Sequence, residues 1–203
     1  MRASSPSLFR LMSVPACLVL AVSQVDAQTP SPDVQIAAAL QAAPEAERAG
    51  ATVLGYTADG SVTTLREGSH SLICLADNPA QEGWSVACYH ESIEPYMARG
   101  RELRAQGVTD PQEVTQRRFA EAESGALPMP DEPAMLDVMA GDGYDAGSNT
   151  VSNPFTRWVL YTPWATLEDT GLPPRPAAPG QPWLMFPGTP GAHIMVTPPP
   201  PGG

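Results

Sequence analysis

The sequence predicts an α+β protein: an antiparallel β-sheet (a four-strand meander plus two or three later strands) with two central helices and a proline-rich C-terminal segment. Three observations predict this class. Short apolar runs separated by turn residues occupy residues 51–90, which is typical of antiparallel strands. Residues 93–124 carry apolar side chains at helical spacing, between proline and glycine stops. Finally, 42% of the 203 residues are hydrophobic, which excludes a wholly disordered chain.

The N-terminus, residues 1–27, has the pattern of a secretory signal peptide. Arg2 and Arg10 provide a basic start, residues 11–22 are mostly apolar, and residues 25–27 offer small side chains for cleavage. A membrane-spanning helix needs roughly 20 apolar residues, so we expect no transmembrane segment after cleavage. Anchoring as a lipoprotein through Cys17 is disfavoured because this cysteine lies inside the apolar stretch. We therefore expect a periplasmic or secreted protein.

The rest of the chain divides by composition. We expect an N-terminal lead with a short helix over 28–50, an α+β domain over 51–171, a proline-rich segment packed on that domain over 172–197, and a disordered tail over 198–203. The last two parts together carry 11 of the 24 prolines, too many for continuous regular structure.

Within the domain, the alternation of apolar and polar residues predicts the individual strands. They are expected at 51–56, 62–66, 71–76, 84–90, 135–140 and 155–161, with a polar loop over 141–154 and one more, edge strand at 192–197. The two helices are expected to run from about Ile93 to Gly107 and from Asp110 to about Ser124. The second helix begins with residues 110–113, which resemble a capping box.

Two cysteines outside the signal peptide, Cys74 and Cys88, predict one disulfide. A hairpin that pairs residues whose numbers sum to 162 places these cysteines directly opposite each other. Directly opposed Cβ atoms lie near the distance that a disulfide requires. Because an exported protein meets an oxidising compartment, the two thiols are expected to be joined.

Three histidines are the candidate metal ligands. In the same hairpin register, His70 and His90 share a face and lie near one end of the hairpin. His193 joins them only if the last strand docks beside the hairpin. Imidazoles so placed bind divalent metals or act in acid–base chemistry, so a divalent metal is possible, although we expect no cofactor. We favour the alternative that these are ordinary strand-end histidines.

Arginines gather in the two predicted helices. Five of the nine arginines outside the signal peptide lie between Arg99 and Arg118. Arg99, Arg101 and Arg104 are therefore candidate ligands for a carboxylate or phosphate group. The alternative, which we favour, is pairing with nearby glutamates one helical turn away.

Charge and motifs exclude several function classes. The formal charge of -11 argues against nucleic-acid binding, which needs clustered cations. No hydrolase elbow, zinc-protease helix, phosphate loop or dinucleotide fingerprint occurs in the sequence.

Several short motifs occur together in a recognisable order. They are Leu65–Gly68, Cys74–Asp77, Ala87–His90, Met97–Leu103 and Pro190–Met195. In this order they resemble an uncharacterised family of exported bacterial proteins for which we know no activity. The resemblance implies export and a bacterial source, and it carries no chemistry.

These observations predict an exported bacterial protein that acts as a non-enzymatic binding or structural module. Its partner is expected to be a small molecule or another protein, and not a nucleic acid. The alternative is a small metal-dependent or acid–base hydrolase that uses His70 and His90. The sequence leaves open whether the protein is an enzyme.

Overall fold

The computed structural model describes residues 29–199, which form a mixed eight-stranded sheet, a two-stranded ribbon and two main helices that pack together. The predicted signal peptide, the alternative anchor Cys17 and most of the predicted tail lie outside this range. Within it, no helix is long and apolar enough to cross a membrane. The fold is therefore α+β, as the sequence predicts.

The regular elements match most of the predicted ones closely. The helices are α1 (Pro32–Ala39), α2 (Glu94–Ala105), α3 (Pro111–Glu123) and the single turn α4 (Leu167–Thr170), with short 3-10 segments at Leu40–Ala42, Glu45–Gly50 and Glu91–Ile93. The strands are β1 (Thr52–Tyr56), β2 (Val62–Arg66), β3 (Leu72–Leu75), β4 (Trp84–His90), β5 (Ala134–Gly141), β6 (Gly143–Asp145), β7 (Thr150–Ser152), β8 (Phe155–Tyr161), β9 (Trp183–Met185) and β10 (His193–Val196). Strands β6 and β7 form a ribbon inside the predicted polar loop.

The order of strands in the sheet corrects the predicted meander. The order is β2-β1-β3-β4-β5-β8-β10-β9, and β3 runs parallel to β1 instead of antiparallel to β2. Gly68 explains the crossing, because a Cβ there would lie within 2.7 Å of three backbone atoms of residues 50–52. The chain therefore leaves β2, passes closely over the start of β1 and continues on its other side.

The C-terminal strands bring a second correction. The strand predicted at the sheet edge, β10, lies between β8 and β9, so β9 is the edge strand. The backbone N–H of Leu184 in β9 also donates to the carbonyl of Pro173, 2.9 Å away. Part of the proline-rich segment thus packs on the domain and extends the sheet.

The cysteine pairing and the register of β3 with β4 are confirmed. Cys74 lies opposite Cys88, their Cα atoms are 4.0 Å apart, and the disulfide joins them. Both residues are fully buried. The bond is consistent with an oxidising compartment.

Side chains alternate along the strands, so the sheet has two faces. The face that carries Cys74 and Cys88, here called the disulfide face, packs against α1 and the 3-10 turn after it. The opposite face, here called the helical face, carries Tyr89 and packs against Ile93 and Met97 at the start of α2. The core thus has two layers, one on each side of the sheet.

Capping residues set the end of helix α2 and the start of helix α3. Helix α2 stops before Gly107, whose φ of +92° favours glycine. Asp110 caps α3 by accepting a hydrogen bond from the N–H of Gln112 at 2.9 Å. The predicted capping box is only half formed, because Glu113 pairs with Arg117 one turn later.

Candidate functional site

A groove lies on the helical face of the sheet, where the helices leave β1 and β2 uncovered. Its volume is about 930 Å³. Leu54, Tyr56 and Leu75 line it from the central strands, and Val62 and Thr64 line it from the edge strand β2. We call this space the α2 groove, because α2 forms its wall.

One stripe of helix α2 supplies that wall. Glu94, Ala98, Arg101 and Ala105 follow one another at intervals of three or four residues, so they share a face of the helix. The two alanines keep the wall shallow and leave the charged side chains to define its chemistry. Arg104 also lines the groove.

Arg101 is held in place by the buried phenol of Tyr89 and the half-buried carboxylate of Glu94. Its Nη2 lies 2.5 Å from Oε1 of Glu94, and its Nη1 donates to the hydroxyl of Tyr89 at 3.1 Å. The Tyr89 hydroxyl in turn donates to Oε2 of Glu94 at 2.6 Å. Burial raises the pKa of Tyr89, which keeps this phenol protonated and able to donate. The charge of Arg101 is therefore neutralised inside the protein.

Arg104 differs from Arg101 in its partners. Its Nη1 donates to the carbonyl of Gly100 at 3.1 Å, and no carboxylate among residues 29–199 pairs with it. Loss of solvent around the guanidinium, together with the neighbouring charge of Arg118, lowers the pKa of Arg104. Arg104 is thus an exposed cation on the groove wall with no acidic partner among residues 29–199.

Arg99, the third predicted arginine, lies away from the groove. Its Nε and Nη2 each bind one carboxylate oxygen of Glu121 on α3, both at 2.7 Å, and its Nη1 binds Glu102 at 3.1 Å. Such a two-pronged pair joins α2 to α3. The structure therefore brings Arg101 and Arg104 to one site and uses Arg99 to hold the helices together.

One residue that the sequence interpretation missed is Arg118. Its Nη1 donates to the carbonyl of Tyr96 at 3.3 Å, and its guanidinium carbon lies 3.9 Å from the centre of the Tyr96 ring. It meets Arg104 beside Gly100. Two sequence signals indicate this place: the arginine cluster that ends at Arg118, and Gly100, which indicates a close approach to the helix.

His70 and His90 form hydrogen bonds with neighbouring protein groups. The Nε2 of His70 lies 3.0 Å from the carbonyl oxygen of Glu47, and its Nδ1 accepts from the N–H of Leu72. The Nδ1 of His90 accepts from the N–H of Ser92 at 3.2 Å and contacts the same residue's hydroxyl at 2.8 Å. Both imidazoles are exposed.

His193 lies on the opposite face of the sheet from the other two. It is buried on the helical face against Tyr161 and Phe186, and its Nδ1 is 2.7 Å from the carbonyl of Gly191. Burial lowers the pKa of His193. The three histidines do not converge, and no group of three or more potential metal ligands occurs within residues 29–199.

The chain was also compared with known proteins. No protein family model matches it, and neither does any curated protein or solved structure. The resemblance to a family of exported bacterial proteins stays a prediction. The function is therefore inferred from the geometry of the α2 groove.

Proposed function

We propose that this protein is an exported, non-enzymatic binding module that holds a small molecule with an anionic group in the α2 groove. One observation carries the proposal: the guanidinium of Arg104 lies on the wall of the groove with no carboxylate partner among residues 29–199. A cation in this position has free N–H donors and a neighbouring concave space in which a ligand fits.

The size and lining of the groove support a ligand that is partly apolar and partly anionic. A volume of about 930 Å³ falls within the range of small-molecule sites. Leu54 and Leu75 offer apolar contact, and Tyr56 adds an aromatic ring. The ligand we propose therefore has an apolar body that lies over these strands and an anionic end that lies against α2.

The charged side chains along α2 favour one end of the groove for the anionic end of the ligand. The carboxylate of Glu94 is already bound by Arg101 and Tyr89, so this part of the wall is close to neutral. Arg104, which is nearer the end of the helix, has no such compensation. The anionic end of the ligand is therefore placed at Arg104, and the position of Arg101 makes it a supporting cation.

The groove lining offers hydroxyl and carboxylate groups, among them Ser61 and Asp59, but no histidine or cysteine from the described part of the chain. The alternative of a hydrolase that uses His70 and His90 has less support, because both imidazoles are engaged locally on the other face of the sheet.

An apolar anion, anilinonaphthalene sulfonate, tests the proposal by fluorescence titration of the purified exported protein. Thr64→Trp fills the groove from an exposed position on the edge strand, and Arg104→Gln removes the cation. We expect Arg104→Gln to weaken binding by about tenfold, the effect of losing one charge-assisted hydrogen bond. Thr64→Trp should weaken binding by a similar factor, about tenfold, because it occupies the space of the ligand.

Two control variants accompany this titration. Arg117→Gln removes a cation that is paired with Glu113 outside the groove, and Trp158→Ser removes an exposed aromatic side chain on the disulfide face. Both should keep the affinity of the wild type. If all four variants bind the dye equally well, the ligand does not occupy the α2 groove and the proposal is wrong.

A further inference from the structure

We propose that Arg104, on the wall of the α2 groove, and Arg118, which lies beside it outside the groove lining, hold one phosphate-type dianion between them. This inference rests on the proposed function, and it names the chemical class of the ligand's anionic end.

Gly100 brings the two arginines together. A Cβ at this position would lie 3.1 Å from Nη1 of Arg118 and 3.4 Å from Nη1 of Arg104. The two guanidinium groups are therefore immediate neighbours, although one comes from α2 and the other from α3. A Cβ at this position would require Arg118 to shift slightly, so glycine leaves the most room for both groups against the helix.

Each guanidinium keeps most of its donors for a ligand. A guanidinium carries five N–H donors, and within residues 29–199 the only hydrogen bond of Arg104 goes to the carbonyl of Gly100. Arg118 likewise bonds only to the carbonyl of Tyr96, and its Nε is buried without a partner. An unpaired buried donor costs free energy. The remaining Nη donors of the two groups are the ones available to a ligand.

The arginines of α2 and α3 differ in their partners, although the other four arginines of residues 29–199 also lack a carboxylate partner within this range. Arg99, Arg101 and Arg117 each pair with a glutamate, whereas no carboxylate of the described residues pairs with Arg104 or Arg118. The two neighbouring guanidinium groups carry like charges and repel each other. Loss of solvent and the charge of Arg118 together lower the pKa of Arg104. A bound anion would remove that repulsion.

The number of charges selects the class of anion. Two guanidinium groups balance a phosphate monoester, which carries a charge of about −1.5 to −2 at pH 7, better than a single carboxylate. The planar donor forks of arginine also match the oxygen geometry of a phosphate group. We therefore expect the anionic end of the ligand to be a phosphate monoester or a closely related dianion.

Calorimetric titration with glycerol phosphate, at constant ionic strength, tests this site. The wild type should bind saturably with a Kd of about 1 mM or tighter. Arg118→Gln keeps a donor for the Tyr96 carbonyl but removes the charge, and should weaken binding at least tenfold. Arg117→Gln, the adjacent residue on α3 whose charge is paired with Glu113, is the matched control and should bind like the wild type.

Gly100→Ala provides a second variant that does not depend on removing an arginine. Alanine favours the helix more than glycine does, so the fold should be kept. The added methyl group would lie 3.1 Å from Nη1 of Arg118, so this guanidinium must shift slightly, and phosphate binding should weaken by about threefold. Circular dichroism confirms that each variant is folded before it is titrated.

The outcomes separate this inference from the proposed function. If Arg118→Gln and Gly100→Ala bind glycerol phosphate as the wild type does, or if the wild type does not bind it, the two-arginine site is wrong. Retained dye binding would then leave the proposed function in place. Loss of dye binding in Thr64→Trp and loss of phosphate binding in Arg118→Gln together support both proposals. Vesicles with and without phosphatidic acid show whether the phosphate belongs to a soluble molecule or to a lipid.

Discussion

The two faces of the sheet are covered over different halves, and their uncovered parts differ in charge. On the helical face, α2 and α3 leave β1 and β2 open, and the resulting groove contains Arg104, a cation that no carboxylate of the described residues pairs with. On the disulfide face, β5 and β8 are left open, with Trp158 46% exposed beside the half-buried carboxyl of Asp137. The net charge of the chain predicts neither arrangement, because what matters is which charges find partners after folding.

The two faces of the sheet are covered over different strands because the helices that pack on them differ in length and position. Helix α1 has only 8 residues, and together with the following 3-10 turn it packs on the strands that carry the disulfide. Helix α2 has 12 residues and, with α3, covers the strands at the centre of the sheet, where Tyr96 packs on Tyr161. Each face therefore keeps one open half.

The largest expected effect concerns the half of the disulfide face that α1 covers, and it measures how much the disulfide stabilises this half. Replacing both cysteines, Cys74→Ala with Cys88→Ala, removes a cross-link between residues 14 positions apart. The loss should lower the free energy of unfolding by about 3 kcal/mol in the chain-entropy model. Urea denaturation of the variant and of the oxidised wild type measures this difference. Equal midpoints and slopes would mean that α1 and the core hold this half without the bond.

The next effect tests the pairing of charges on the helical face. Glu94→Gln leaves the half-buried guanidinium of Arg101 with a neutral partner and weakens the hydrogen bond from Tyr89. The free energy of unfolding should fall by about 2 kcal/mol, the range for hydrogen bonds to charged groups. Glu113→Gln is the matched control, since its pair with Arg117 is exposed and should contribute about 0.3 kcal/mol. Similar losses in both variants would contradict the special role of the buried pair.

The smallest effect tests the open half of the disulfide face. Burial, with a smaller contribution from Glu47, raises the pKa of Asp137 to about 6, above the value of about 3.9 for an unfolded chain. Because the unfolded chain ionises first, the wild type should lose stability as pH rises from about 4 to 6 and then level off. Asp137→Asn should remove this loss.

The two proteins are compared by thermal or urea denaturation at several pH values. Above pH 6, Asp137→Asn should be more stable than the wild type by about 1 kcal/mol, allowing for partial screening by solvent. Below about pH 3 the difference should disappear, because the carboxyl is then protonated in both states. A constant difference across this range would show that Asp137 acts through packing and not through its charge.

Much of the secondary structure could be predicted from local patterns. Strand β8 has its predicted bounds, and the pairing of Cys74 with Cys88 follows from the alternation of side chains in one hairpin. These features depend on neighbours within about 15 residues, where turn chemistry and side-chain periodicity decide the outcome. The placement of β3 beside β1 could not be predicted in this way, because it depends on the close backbone approach at Gly68.

The candidate site shows the same division. The sequence by itself determined that arginines cluster in two consecutive helices, because helix periodicity and capping residues are local properties. Only the tertiary structure decided which of them are neutralised: Arg101 meets Glu94 and Tyr89, whereas Arg104 meets Arg118. It also separated His193 from the other histidines, because the order of the strands and the face of the sheet are set by long-range packing. Local interactions specify the elements, and the burial of both faces of the sheet specifies which side chains meet.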